Sequence, residues 1–132
     1  MPKTQYYWKV TPVPEPRMTR ADRWKERPPV MRYFAFRDEI RLCLNGTSEI
    51  QEEIETGRCD KLVMDFYLPM PDSWSKKKKA NFDGKYHRQK PDIDNLVKAL
   101  MDAMFGQLSD ERVAYIIARK FWSQSGSITI SL

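Results

Sequence analysis

One histidine and two cysteines in 132 residues leave little material for several common kinds of active site. His87, Cys43 and Cys59 have no metal-binding spacing among them. That argues against a zinc site, a disulfide framework and a histidine-based catalytic triad. No apolar run approaches the roughly 20 residues that cross a bilayer, and residues 1–10 are too polar for a secretory signal. The expectation is a cytoplasmic chain with no membrane partner. Its length and a hydrophobic content of 41% fit one compact domain over residues 1–132, without room for a second core.

Charge is present, and it is unevenly placed. Residues 74–90 carry Lys76, Lys77, Lys78, Lys79, Lys85, Arg88 and Lys90 against Asp83 alone, a local +6 in a chain of net charge +5. A second concentration holds Arg17, Arg20, Arg23, Lys25 and Arg27, offset by Asp22 and Glu26. Such clustering is the electrostatic footprint of a polyanion site, nucleic acid before anionic lipid. The lipid reading weakens because neither stretch has an apolar face at helical spacing.

The remaining pattern sorts into strands and helices. Residues 4–13, with Tyr6, Tyr7, Trp8, Val10 and Val13, read as a strand. Pro12, Pro14 and Pro16 end it and predict an extended loop over residues 17–29. From Arg32, the recurrence of Tyr33, Phe36, Ile40, Cys43 and Leu44 predicts a helix stopped at Asn45-Gly46. Residues 48–56 read as a short acidic turn or helix, and residues 61–68 alternate as a strand closed by Pro69 and Pro71. The lysine run predicts a mobile loop or short helix that orders on binding. Residues 113–122 and 127–132 alternate as two further strands, joined by a turn at Ser125-Gly126. The pattern is α+β.

Between the lysines and the last strands lies Lys90-Pro91-Asp92-Ile93-Asp94-Asn95-Leu96-Val97-Lys98, followed by Ser109-Asp110-Glu111-Arg112-Val113. Leu96, Val97, Leu100, Ala103 and Met104 form one apolar stripe, so residues 94–105 are predicted helical and Gly106 ends them. Asp94, Lys98 and Asp102 then share the opposite face at i and i+4 spacing. Asp92 in the same helix would point about 160° from Asp94. The two carboxylates converge only if Asp92 stands before the first turn in an extended or capping conformation, which Pro91 favours. Asp110 falls in a turn at the start of a strand, from which it could fold back toward the start of the helix.

Carboxylates in a basic chain that binds phosphodiesters make sense when divalent cations sit between the two negative partners. Magnesium is the natural choice, with Asp92, Asp94 and Asp110 as ligands. Lys98 is placed to neutralise the scissile phosphate and Asn95 to orient a ligand or a water. Each residue also has an ordinary use: aspartate caps helices, lysine pairs with aspartate one turn away, and aspartate occupies turns. Asp102 is expected to be a solvated partner of Lys98, and His87 part of the basic surface. Trp74 and Phe82 fit core anchors and base-stacking platforms equally.

The whole run from Lys90 to Ala103, with Asp110 to Val113, resembles the signature of the RusA family of Holliday junction resolvases, common in bacteriophages and prophages. Pro12 to Arg20 is similar to the proline and arginine segment after that family's first strand, and Trp74 to Lys78 to its basic stretch. The resemblance implies Asp92, Asp94 and Asp110 as magnesium-binding catalytic carboxylates, with manganese able to substitute, and Lys98 as the catalytic lysine. It implies a homodimer with a small mixed sheet of about four strands packed with helices. The expected substrates are four-way and other branched DNA, nicked in pairs. DNA contacts are expected from Arg17, Arg20, Lys76, Lys77, Lys78, Lys79, Lys85, Arg88 and Lys90. Two positions depart from the family pattern: Ser109, where members often have aspartate, and Arg112, where glutamine is common. A competing reading keeps the basic surface without cleavage, as a non-catalytic DNA-binding protein of phage replication or packaging. A basic adaptor for a protein partner would leave the carboxylates unexplained.

Overall fold

The computed structural model describes residues 5–17, 19–20, 27–106, 108 and 110–132. Asp22, Arg23, Lys25 and Glu26 of the second basic concentration lie outside them, as does Ser109. The described residues form β1 (Gln5–Trp8), α1 (Pro28–Asn45), α2 (Ser48–Glu55), β2 (Lys61–Pro69), α3 (Lys76–Phe82), α4 (Ile93–Phe105), β3 (Tyr115–Ser123) and β4 (Ser127–Ser131). The architecture is α+β, with a mixed four-stranded sheet in the order β1-β4-β2-β3.

Two elements differ from the sequence expectation. β1 stops at Trp8 because the Val10 amide turns back to the Trp8 carbonyl, well before the prolines. α1 begins at Pro28 rather than near Arg32. Pro28 and Pro29 occupy the first helical positions, where an amide has no intrahelical partner and its absence costs nothing. The short acidic segment is a true helix, and the lysine run is ordered as α3, whose N-cap Ser75 accepts from the Lys78 amide.

Alternation along the strands sets two faces. Leu62, Met64, Phe66 and Leu68 of β2 and Ile128 and Ile130 of β4 are buried on the face that carries the helices. Phe36 and Ile40 of α1 and Leu96, Leu100 and Met104 of α4 join them in one core. Burying a leucine such as Leu96 or Leu100 is worth about 2 kcal/mol each, which is what holds α4 against the sheet. A Cβ on Gly126 would stand 2.6 Å from the Thr11 Cα, so the turn between β3 and β4 closes against the chain after β1 only with glycine there.

β2 and β3 are parallel, paired from Lys61↔Tyr115 to Pro69↔Ser123. Parallel neighbours need a crossover, and here it contains α3 and α4. The chain leaves the end of β2 and must return to the start of β3, so α4 runs back along the sheet. Its first turn therefore lies near the ends of these strands and its last turn near their beginnings.

Candidate active site

Asp92 is the N-cap residue of α4, with extended backbone (φ −69°, ψ 142°), and its side chain makes no capping hydrogen bond. Its carboxylate stays outside the helix, with both oxygens 3.1 Å from Lys90 Nζ. Asp94 follows in the first turn, exposed, at the end of the helix that favours negative charge. The two aspartates line one open groove with Arg88, Gln89, Lys90, Ile93 and Lys120. Asp92 thus stands before the first turn of α4 in extended backbone, as the helical period requires if the two carboxylates are to share a side.

Lys120 is the residue of this groove that sequence reasoning missed. It sits on the helix-bearing face of β3 opposite Phe66, and its ammonium donates to the Gln89 carbonyl at 2.5 Å and the Pro91 carbonyl at 2.6 Å. Burial holds its pKa below the ordinary lysine value, Asp92 acts in the opposite direction, and Lys90 adds to the depression. The sequence signal was a lysine in phase with Ile116, Ala118 and Trp122, a charge on a core-facing strand position. Lys120 fixes the two carbonyls flanking Lys90, and so the approach to Asp92. Lys120→Met is expected to lower the rate of DNA cleavage about 10- to 100-fold while circular dichroism and DNA affinity stay near wild type. Wild-type rates in single-turnover assays would remove Lys120 from the site.

On the same face of α4, Lys98 lies exposed one turn beyond Asp94. Asp102, another turn on, is half-buried rather than the solvated partner of Lys98 that the sequence predicts. Its neighbour is Glu15, whose backbone amide donates to the Asn95 carbonyl at 3.1 Å and ties the proline segment to the start of α4. The Glu15 carboxyl is pushed up to about 7 by burial, by its hydrogen bond to Asp102 and by the Asp102 charge, with Lys98 opposing. Glu15 Oε2 is buried, and among the described residues no donor reaches it. Two ionised carboxylates have no hydrogen to share, so the approach of Glu15 to Asp102 favours the protonated form of Glu15.

A carboxyl whose pKa rises on folding contributes stability that is full below its ordinary value of 4.5 and is lost as pH rises through about 7. Glu15→Gln keeps the protonated shape without the ionisation. It is expected to stabilise the fold by about 1 kcal/mol at pH 8, after allowance for solvent screening, and to leave it unchanged near pH 4.5. Urea unfolding at the two pH values checks this; equal effects at both would break the link to ionisation.

His87 is 4% exposed, with its ring 3.8 Å from that of Trp122. It therefore belongs to the interior and not to the basic surface. Burial pushes its pKa down, helped by Lys120, and Nδ1 accepts from the Gln89 amide. Trp74 is a half-buried anchor between Trp122 and Phe82, with Lys78 Nζ 4.3 Å from its ring centroid. Lys76, Lys77, Lys78, Lys85, Arg88 and Lys90 are exposed and Lys79 is half-exposed; Arg17 and Arg20 are exposed in the proline segment.

Asp110 is exposed and does not line the groove with Asp92 and Asp94. Thirteen residues of α4 carry the chain about 20 Å away from Asp92. The Val113 amide then closes on the Asp110 carbonyl, and the Ala114 and Tyr115 amides dock on Asp60 before β2. Asp110 thus stands at the opposite end of the crossover. Among the described residues, no three or more histidine, cysteine, aspartate or glutamate side chains gather as a metal-holding group. The pair in the groove nonetheless suits magnesium, which takes one or two carboxylates and completes its shell with waters and phosphate oxygens.

Exposed carboxylates at a helix start, a lysine one turn away and a basic strip alongside have the chemistry of a DNA phosphodiesterase. Comparison with protein-family models matches residues 8–132 to Endodeoxyribonuclease RusA. The match spans essentially the whole chain, which belongs to the RusA family and is a DNA endonuclease of the Holliday junction resolvase class. That sets aside the non-catalytic DNA-binding reading. None of the curated proteins compared matches the chain. No helix among the described residues is long and apolar enough to cross a membrane.

Proposed function

We propose that this chain acts in the cytoplasm as one homodimerising domain that resolves four-way and other branched DNA by paired nicks in the presence of magnesium. The observation that carries the reading is the Asp92 carboxylate, which caps no helix amide and is paired only with the exposed Lys90. An N-cap aspartate that makes no capping bond stands instead beside Asp94 in an open groove flanked by cations.

Asp92 and Asp94 would hold the ion, and Asp110 belongs to the proposed ligand set by its place in the family signature. Bound there, a divalent cation supplies Lewis-acid stabilisation of the phosphoryl oxygens and a more acidic water, with manganese as the alternative ion. Lys98 faces the scissile phosphate and offsets the charge that builds on its oxygens. Asn95 orients a ligand or a water. Lys120 keeps the residues before Asp92 in place, and Lys90, Arg88, Lys85, the α3 lysines, Arg17 and Arg20 hold the DNA backbone. A twofold dimer presents two such sites to strands related by the symmetry of the junction.

The test compares a synthetic four-way junction with a linear duplex of matched sequence, each in magnesium and in EDTA. The expected result is cleavage of the junction in magnesium alone. Comparable cleavage of both substrates would overturn the branched-DNA reading, and binding without cleavage in any divalent metal would overturn the catalytic one.

A further inference from the structure

The sheet face opposite the helices carries an aromatic stack that the reaction does not use. Tyr67 of β2 and Phe121 of β3 have ring centroids 5.3 Å apart and 19° between planes. Phe121 and Tyr86 continue the stack at 5.3 Å and 21°. Tyr86 is placed by a backbone segment docked on the outer edge of β3: the Gly84 amide donates to the Trp122 carbonyl, Trp122 to Lys85, and His87 to Lys120, each at 2.9 Å. Alternation then sends His87 and Trp122 into the core and Tyr86 and Phe121 to the open face. Arg119 is clamped by the buried Asp65 through two 2.8 Å hydrogen bonds, and its guanidinium lies 5.6 Å from the Phe121 centroid.

This stack ends in the open. Tyr86 is 63% exposed and borders a groove with Phe82, Lys85, Arg88 and Phe121. Gly84 also lines it, and an added Cβ there would meet nothing within 4 Å, so the groove is open beside Tyr86. Residues 84–90 carry no acidic side chain, and Lys85 and Arg88 rim the groove. An occupant that satisfies both features is flat, with a π face for Tyr86, and anionic, for the rim. That is a nucleotide lifted out of a duplex. A paired base inside a duplex offers only its edges to a protein. Asp92 follows Tyr86 by six positions, at most about 20 Å of extended chain.

We propose that Tyr86, backed by Phe121 and Tyr67, is a stacking platform for an unpaired nucleobase, which Lys85 and Arg88 hold by its phosphates. The proposal deepens the branched-DNA reading and rests on it, because stacking is interrupted at a branch point and a base there is lifted out of its pair at lower cost than inside a continuous duplex. The platform lies around the β3 edge from the carboxylate groove, so a strand crossing that edge touches both.

The test titrates protein in EDTA into three DNAs that carry 2-aminopurine: a four-way junction labelled at the crossover, a single strand and a linear duplex. Stacking predicts quenching with the junction and the single strand and none with the duplex. Tyr86→Ala is expected to abolish the quenching and to weaken binding of those two DNAs roughly tenfold, leaving duplex affinity within about twofold. Tyr86→Trp is expected to restore both. Equal loss on the duplex, or no restoration by tryptophan, would overturn the platform. So would a dimer that dissociates on Tyr86→Ala with unchanged DNA affinity, because the face would then be covered by a second copy. The two readings fail separately. Equal cleavage of junction and duplex overturns the branched-DNA reading while single-strand quenching stands; junction-selective cleavage without Tyr86-dependent quenching overturns the platform alone.

Discussion

Asp92→Asn is expected to lower the rate of junction cleavage by about 10³-fold or more while the protein still binds the junction. The variant has little reason to unfold. The Asp92 side chain caps nothing, and its partner is an exposed Lys90, a surface pair worth about 0–1 kcal/mol. Removing a negative charge beside DNA phosphates would if anything tighten binding. Loss of cleavage with binding intact therefore separates chemistry from architecture, read by single-turnover kinetics and gel shift on the same preparation. Asp94→Asn is expected to match it. Asp110→Asn carries particular weight, because Asp110 stands apart from the groove: loss of cleavage as deep as that of Asp92→Asn places it in the active assembly, and near-wild-type rates remove it from the ligand set.

Replacing Lys76, Lys77, Lys78 and Lys79 together by alanine is expected to weaken DNA binding about 100-fold at low salt and to make the plot of log affinity against log salt shallower by about 2 to 4. α3 buries none of its residues, its Ser75 cap uses a backbone amide, and alanine is the best helix former, so the fold should be retained. The change also takes the Lys78 ammonium away from the Trp74 ring, an interaction worth about 0.5–1 kcal/mol at an exposed site. Affinities measured in EDTA across a salt series check this. An unchanged slope would show the lysines to be a solvated face without a partner.

Local periodicity carried much of the sequence reading. The stripe of Leu96, Leu100 and Met104 marked α4, Pro91 marked its start and Gly106 its end, and the helical period required Asp92 to lie outside the first turn, where the structure has it. Alternation marked β2, β3 and β4 to within a residue or two. What periodicity does not carry is pairing between distant segments. The bonds from Lys120 to Gln89 and Pro91 span about 30 residues, and they exist only because the crossover brings the chain beside β3. Glu15 meets Asp102 for the same reason, through a segment docked on Asn95. His87 looked like a surface cation among lysines because its cover, Trp122, comes from a strand 35 positions later. The start of α1 was closer at hand: the extended loop over residues 17–29 ran past Pro28 and Pro29, although proline at the first helical positions is a favourable start.

The central claim is that the Asp92 and Asp94 groove is a magnesium-dependent centre, presented twice by a dimer to a branch point. Its most direct test labels each of the four strands of an immobile junction in turn and maps the 5′ and 3′ ends produced in magnesium. Two nicks placed symmetrically in opposing strands near the crossover, absent in EDTA and absent from the linear arms, are the predicted result. Nicks scattered along the arms, or confined to one strand, would contradict it.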